Sequence, residues 1–259
     1  MLRLFFAISA SIFLCGCNNL KKAIDVYDPP VLENDGSDLY YIRTRIVVEV
    51  IGGAAAKNIN EIIEDLWFAE KIYSDLGIKF IISEMSLADP NQEWDGYSDL
   101  DSVKYENTMS IYYTFSKKYI PGKSPIVGMG MFPWYKNPNG ICINGHLSET
   151  NTLAHEVGHF FGLYHTFGVG EFKEDFVDDT LNEQEYLDKI GEDAFYKEYN
   201  NIMNYHWFGK NSFVTDGQIN RMRHYLLKDR KSMIMDGDLR DSPNSLNIFK
   251  ELFKDIPKK

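Results

Sequence analysis

Cysteine is scarce in this chain: three in 259 residues, with Cys15 and Cys17 both in the opening stretch. The remainder holds Cys142 alone, which excludes an internal disulfide there, so stability has to come from packing and bound metal. The apolar run from Leu4 to Leu14, broken by Ser9 and Ser11, is too short for a stable membrane-spanning helix. Positive charge is outnumbered, 27 Lys and Arg against 38 Asp and Glu, for a net charge of −11. Such acidity argues against a nucleic-acid partner and against adhesion to anionic lipid head groups. Internal repeats and low-complexity blocks are also missing. What is present is a globular composition: 44% apolar residues, with 17 Phe and 16 Tyr, enough for a real core in one domain or one domain with two lobes.

The opening stretch reads as a targeting segment. Arg3 precedes the apolar run, and the run ends Leu14-Cys15-Gly16-Cys17. This resembles a bacterial lipobox, with Leu at −3, Gly at −1 and Cys17 as the lipid acceptor. An ordinary cleaved secretory signal is the alternative. The expected organisation is a signal peptide over 1–16, a tether over 17–38, the main folded domain over 39–230 and a C-terminal tail over 231–259. The tether is polar and carries Asp28-Pro29-Pro30 and Asn34-Asp35-Gly36. A lipid on Cys17 would hold a monomeric protein to the extracytoplasmic side of a bacterial envelope, at the outer membrane or cell surface.

Alternation of β-branched residues predicts a strand over 40–51, and Gly52-Gly53 ends it. Apolar residues at helical spacing predict a helix over 58–76: Ile59, Ile62, Ile63, Leu66, Trp67, Ile72, Tyr73 and Leu76, closed by Gly77. Further strands are expected over 78–82 and 108–115, a loop over 90–101, and a loop-rich hairpin or edge strand over 124–143. A helix is expected over 149–163 with Ser148 as its N-cap, and another over 216–227 with Ile219, Met222 and Leu226 inward. The order implies an α/β (α+β) fold with a mixed twisted sheet, backed by helices, and an irregular C-terminal half.

The chemistry concentrates in residues 155–165, His-Glu-Val-Gly-His-Phe-Phe-Gly-Leu-Tyr-His. On a helix, residues four apart share a face with Cβ atoms about 5–6 Å apart. His155 and His159 therefore aim two imidazoles at one point, and neutral imidazole is a good zinc ligand. Glu156, the next residue round the helix, can reach a water at the metal without ligating it. Gly162 ends or bends the helix and brings His165 back as a third ligand. Three protein ligands leave a fourth position for water, which is the arrangement of a catalytic site.

His-Glu-x-x-His-x-x-Gly-x-x-His is the signature of the metzincin metallopeptidases, and this chain resembles them. Asn201-Ile202-Met203-Asn204-Tyr205 resembles the Met-turn that underlies their zinc site. Within the metzincins the chain looks most like the pappalysins, on Leu153-Ala154, Leu163–Phe167, Asp175–Thr180, Tyr205 placed two after Met203, and Phe213-Val214-Thr215 followed by Gln218 and Arg221-Met222. The resemblance implies a two-lobed metzincin-like catalytic domain with a horizontal cleft. It implies a zinc endopeptidase acting on protein or peptide substrates, with Glu156 as general base and acid and Tyr205 as donor to the oxyanion. It implies Met203 as an apolar floor, and a calcium ion near Asp175, Asp179 and Thr180. An extended substrate would pair with an edge strand around Met129–Tyr135. Two features depart from the family: no Cys follows Cys142, and His206–Lys210 lacks the acidic residues of arginine-cleaving relatives. A non-enzymatic lipoprotein that reuses the fold would usually have lost Glu156 or a ligand, and a zinc scavenger would not need Glu156, Met203 and Tyr205 together.

Overall fold

The structure, a computed structural model, describes residues 39–88, 107–115, 126–135, 140–167, 175–180, 188, 200–204 and 212–235. Cys17 and the tether, the loop expected over 90–101, Tyr205, His206–Lys210 and the tail beyond Met235 lie outside the described residues.

Strand β1 (Tyr40–Ile51) is the middle of the sheet. Gly52 and Gly53 turn it into the two-residue β2 (Ala54–Ala55), its antiparallel neighbour. β3 (Ile78–Ala88) and β4 (Met109–Thr114) both pair parallel to β1. β6 (Gly140–Asn144) continues parallel to β4, and the short β5 (Gly128–Gly130) closes the sheet as its antiparallel edge. The expected mixed sheet with an edge strand in the 124–143 region is therefore present. Ile42, Thr44, Ile46 and Val48 are buried as the alternation requires, but so are Tyr41, Arg45, Val47 and Glu49, because a central strand is covered on both faces.

β3 runs six residues beyond the expected Ile82. The register slips between Thr44 and Arg45, so Ile82 pairs with Thr44 and Glu84 with Arg45. Ser83 is the extra residue, and its hydroxyl donates to the Thr44 carbonyl at 3.1 Å. A bulge of this kind interrupts the two-residue period from which a strand is read.

Helix α1 (Ile59–Ile72) backs the sheet. Asn58 caps it by accepting from the amides of Asn60 and Glu61, and Glu61 returns a bond to the Asn58 amide. It ends at Ile72, short of the expected Leu76, and a 3-10 turn over Ser74–Leu76 follows. Gly77 closes that turn at φ 78°, a left-handed backbone that glycine takes without strain. Trp67, read as a core position, is 62% exposed, with the Lys71 ammonium 5.6 Å above its ring.

Helix α2 (Thr150–Phe160) packs on α1 and on the edge of the sheet. Its N-cap is Glu149 rather than Ser148: the Glu149 amide donates to Thr152 Oγ1 at 3.0 Å, while Ser148 Oγ accepts from Lys57. Helix α3 (Asp216–Asp229) follows the Met203 turn, capped by Thr215, and buries Ile219, Met222 and Leu226 as expected. Residues 231–235 then return to β1, where the Met235 amide donates to the Tyr41 carbonyl at 2.8 Å and Met233 is buried.

Candidate active site

The imidazoles of His155 and His159 project from one face of α2, as four-residue spacing dictates. The helix stops at Phe160, and Gly162 turns the chain at φ 95°. A Cβ at Gly162 would also lie 2.3 Å from the Tyr225 ring, so both conformation and space require glycine there. Arg221 Nε donates to the Gly162 carbonyl at 2.7 Å, which fixes the bend. His165 then returns, with its Nε2 3.1 Å from His155 Nε2 and 3.0 Å from His159 Nε2.

These donor atoms all lie within 4.8 Å of one another, and among the described residues this is the group of His, Cys, Asp or Glu that could hold a metal ion. Hydrogen bonding supports the fit. His155 Nδ1 lies 2.7 Å from the Ile202 carbonyl and His159 Nδ1 2.7 Å from the Leu163 carbonyl, so each Nδ1 carries its proton and donates. Both Nε2 atoms are thereby left as acceptors, and both lie against His165 Nε2. One N–H on His165 could satisfy one of them, never both, whereas a cation satisfies all three. The Nε2 separations approach the about 3.3 Å edge of a tetrahedron built on zinc–nitrogen bonds of about 2.0–2.1 Å. Burial pushes the His159 value down to about 4. Burial and the neighbouring imidazoles also hold His155 and His165 well below the usual histidine range. All three are thus neutral, the form that ligates metal.

Glu156 is buried beside this cluster, and burial raises its carboxyl to about 8 against a lowering hydrogen bond from the Gly130 amide. Met203 is fully buried beneath α2, in the turn Asn201–Asn204. Asn201 builds that turn: its Oδ1 accepts from the Met203 amide at 2.9 Å, and its amide nitrogen donates to Gln218 of α3 at 2.8 Å. The turn touches the triad directly, because the Ile202 carbonyl is the one that orients His155. Tyr205 lies outside the described residues.

Asp179 is brought to the start of α3 and Asp175 folds its own segment; neither joins the triad. Asp175 accepts from Thr180 Oγ1 at 2.7 and 2.8 Å and from the Val177 amide at 3.1 Å. Asp179 accepts from Thr215 Oγ1 at 2.6 Å and the Gly217 amide at 2.8 Å, at the start of α3. An anionic group at a helix N-terminus is favourable there without any cation.

Several residues around the site carry no motif signal. Tyr73 donates from its hydroxyl to the Ala154 carbonyl at 2.7 Å, holding α2 to α1. Arg230, almost fully buried, donates to the carbonyls of Phe160 and Met131 at 3.4 and 3.0 Å, tying the end of α2 to the end of β5. Phe132 sets its ring 5.1 Å from His159 and stacks on Trp134 at 4.7 Å, forming an aromatic wall beside the triad. Arg230 stands at the C-cap of α3, but its partners are set by the fold and not by its position in the helix.

The three imidazoles on and just beyond α2, set against the mixed sheet, form a candidate metal centre. Residues 139–227 match the pregnancy-associated plasma protein-A peptidase family, and the chain is similar to that family over this segment. Human pappalysin-1 is 26% identical over 176 residues, 53% of this chain and 11% of that protein. Extracellular metalloproteases of Arthroderma benhamiae and Trichophyton verrucosum are each 30% identical over 112 residues, 37% of this chain and 41% of theirs. The chain thus spans less than half the length of these relatives. Among solved structures, a promirolysin mutant from Tannerella forsythia superposes with a TM-score of 0.58 at 14% identity, over 76% of this chain and 85% of that one. Mature mirolysin in complex with a cleaved peptide gives 0.53 at 14% identity, over 77% and 100%. Those likenesses establish the fold.

Proposed function

We propose that the chain is a zinc-dependent endopeptidase that cleaves protein or peptide substrates. The observation that carries this reading is the convergence of three neutral imidazoles, with His165 Nε2 3.1 Å from His155 Nε2 and 3.0 Å from His159 Nε2, beside the buried Glu156.

His155, His159 and His165 would hold the zinc. A zinc ion bound there supplies Lewis acidity, lowering the pKa of a water and polarising a scissile carbonyl. The charge of a cation held by the triad would favour the ionised form of Glu156, against the burial that raises its carboxyl. Glu156 then takes the proton of the attacking water and returns it to the leaving amine. Tyr205 donates a hydrogen bond from its hydroxyl to the oxygen on which negative charge develops. Met203 closes the floor and takes no part in proton transfer. The substrate lies extended along β5.

The proposal extends to place. A lipid on Cys17, after removal of residues 1–16, would anchor the enzyme to the extracytoplasmic face of a bacterial envelope. No helix among the described residues is long and apolar enough to cross a membrane. Calcium has weaker support than zinc: the carboxylates of Asp175 and Asp179 are engaged by Thr180, Thr215 and backbone amides, a tie between the lower segment and α3 that stands without an ion.

The deciding experiment is incubation of the purified protein with casein or gelatin, with and without a zinc chelator. Cleavage that the chelator abolishes and added zinc restores is expected. Failure to cleave with zinc bound would overturn the reading, in favour of a zinc-scavenging or binding lipoprotein.

A further inference from the structure

The close contact between β5 and α2 has a consequence for Glu156. β5 faces β6 through residues 127, 129 and 131: the Asn144 amide donates to the Val127 carbonyl at 2.8 Å, and the Met131 amide donates to Gly140 at 3.1 Å. Antiparallel pairing alternates the direction of backbone groups, so the amides of Gly128 and Gly130 face away from β6. The Gly130 amide donates to the Glu156 side chain. The glycines are required by space and not by conformation, since neither has a positive φ. A Cβ on Gly128 would lie 2.6 Å from Glu156 Oε1, 2.8 Å from its Cγ and 3.0 Å from its Cδ. A Cβ on Gly130 would lie 2.2 Å from the Glu156 backbone carbonyl oxygen and 3.1 Å from His159 Cβ.

We infer that Gly128 and Gly130 are positioning residues for Glu156, the Gly130 amide holding its carboxylate and the bare Cα of Gly128 leaving the channel through which that side chain reaches the cleft. This rests on the reading of Glu156 as the proton-transfer group. It makes the peptide-binding edge and the base one mechanical unit: whatever shifts β5 shifts the carboxylate. It also means that an arriving peptide strand finds the Gly130 amide already engaged and must pair with other groups of the edge.

The two glycines differ in a way that permits a test. At Gly128 the obstacle is the flexible end of one side chain, so Gly128→Ala turns the Glu156 carboxylate aside and leaves the fold intact. At Gly130 the obstacle is backbone, so Gly130→Ala separates strand from helix and is the variant that fails to fold. For zinc-loaded Gly128→Ala, kcat is expected to fall by about tenfold to a hundredfold, the scale of a displacement near 1 Å, with KM within about twofold and zinc content unchanged. A strand that merely packs closely would not divide kcat from KM in this manner.

A second readout needs neither metal nor activity. In metal-free protein, Gly128→Ala is expected to lower Tm in the wild-type background relative to its effect in a Glu156→Ala background, where the obstructing side chain is gone. The effect of replacing glycine on the unfolded chain is common to both backgrounds and cancels. Equal Tm losses in the two backgrounds, or a wild-type kcat for Gly128→Ala, would overturn the inference. If the wild-type protein cleaves nothing, the proposed activity fails, and the Tm cycle still decides whether Gly128 makes room for Glu156.

Discussion

Met203 fills the space directly in front of Gly158: a Cβ built on Gly158 would lie 2.4 Å from the Met203 sulfur and 2.9 Å from the Tyr73 hydroxyl. Gly158 is one of the two unspecified positions inside the His-Glu-x-x-His motif, yet the floor of the site fixes its identity. Gly158→Ala should destabilise the protein by about 1–3 kcal/mol, the usual cost of overpacking a filled core. Met203→Ala opens a cavity and should cost about 2–5 kcal/mol alone. Because the first substitution clashes with the atoms that the second removes, the double variant should be more stable than the sum of the two losses predicts, by more than about 0.5 kcal/mol. Urea denaturation of the four proteins measures this, and strictly additive losses would place the constraint on Gly158 elsewhere.

Glu156→Gln keeps the shape of the side chain and an acceptor for the Gly130 amide, but it cannot take a proton. Zinc content should be unchanged, since the three imidazoles are untouched. Hydrolysis should fall by about 10²- to 10⁴-fold, the range typical of a general acid–base group. Metal analysis and peptide turnover on one preparation check both halves. A variant that keeps a tenth of wild-type turnover would remove Glu156 from the proton-transfer role.

The parts of this site that were legible in the sequence are those written in local geometry. Four-residue spacing on a helix is enough to bring His155 and His159 together, and a glycine three residues later is enough to return His165. The Met-turn was legible through its resemblance, and Asn201 shows why the resemblance has physical content: its side chain folds the turn and ties it to Gln218. What stayed hidden depends on distances between elements far apart in the chain. Gly128 and Gly130 looked like loop glycines because the requirement on them comes from Glu156, across a strand–helix contact. Trp67 kept helical phase with the core yet faces outward, because periodicity gives a stripe and not its edges. Ser148 looked like a cap, and Lys57 claims its hydroxyl instead.

Lys57 is the last of these hidden residues and the easiest to test. Its ammonium lies 2.8 Å from Asp65 Oδ2 and 3.0 Å from Ser148 Oγ, and the Tyr113 hydroxyl reaches the same carboxylate at 3.1 Å. The cluster joins α1, β4 and the turn that launches α2, with Lys57, Asp65 and Tyr113 buried and Ser148 half-buried. Burial raises the Asp65 carboxyl to about 6 even though the Lys57 charge pulls it down. A carboxyl whose folded value exceeds its unfolded value near 3.8 stabilises the fold below that pH and loses the contribution as pH rises through the folded value. Lys57→Met removes the lowering charge, so the folded value climbs above 6 and the loss extends to higher pH. The penalty of Lys57→Met should therefore be modest near pH 5 and grow above pH 6, reaching the about 3–5 kcal/mol typical of a buried pair deprived of one partner. Chemical denaturation of both proteins at pH 5 and pH 8 reads the difference. A penalty independent of pH would mean that Lys57 contributes through its packing against Tyr113 and Ser148, with Asp65 already neutral in the folded protein.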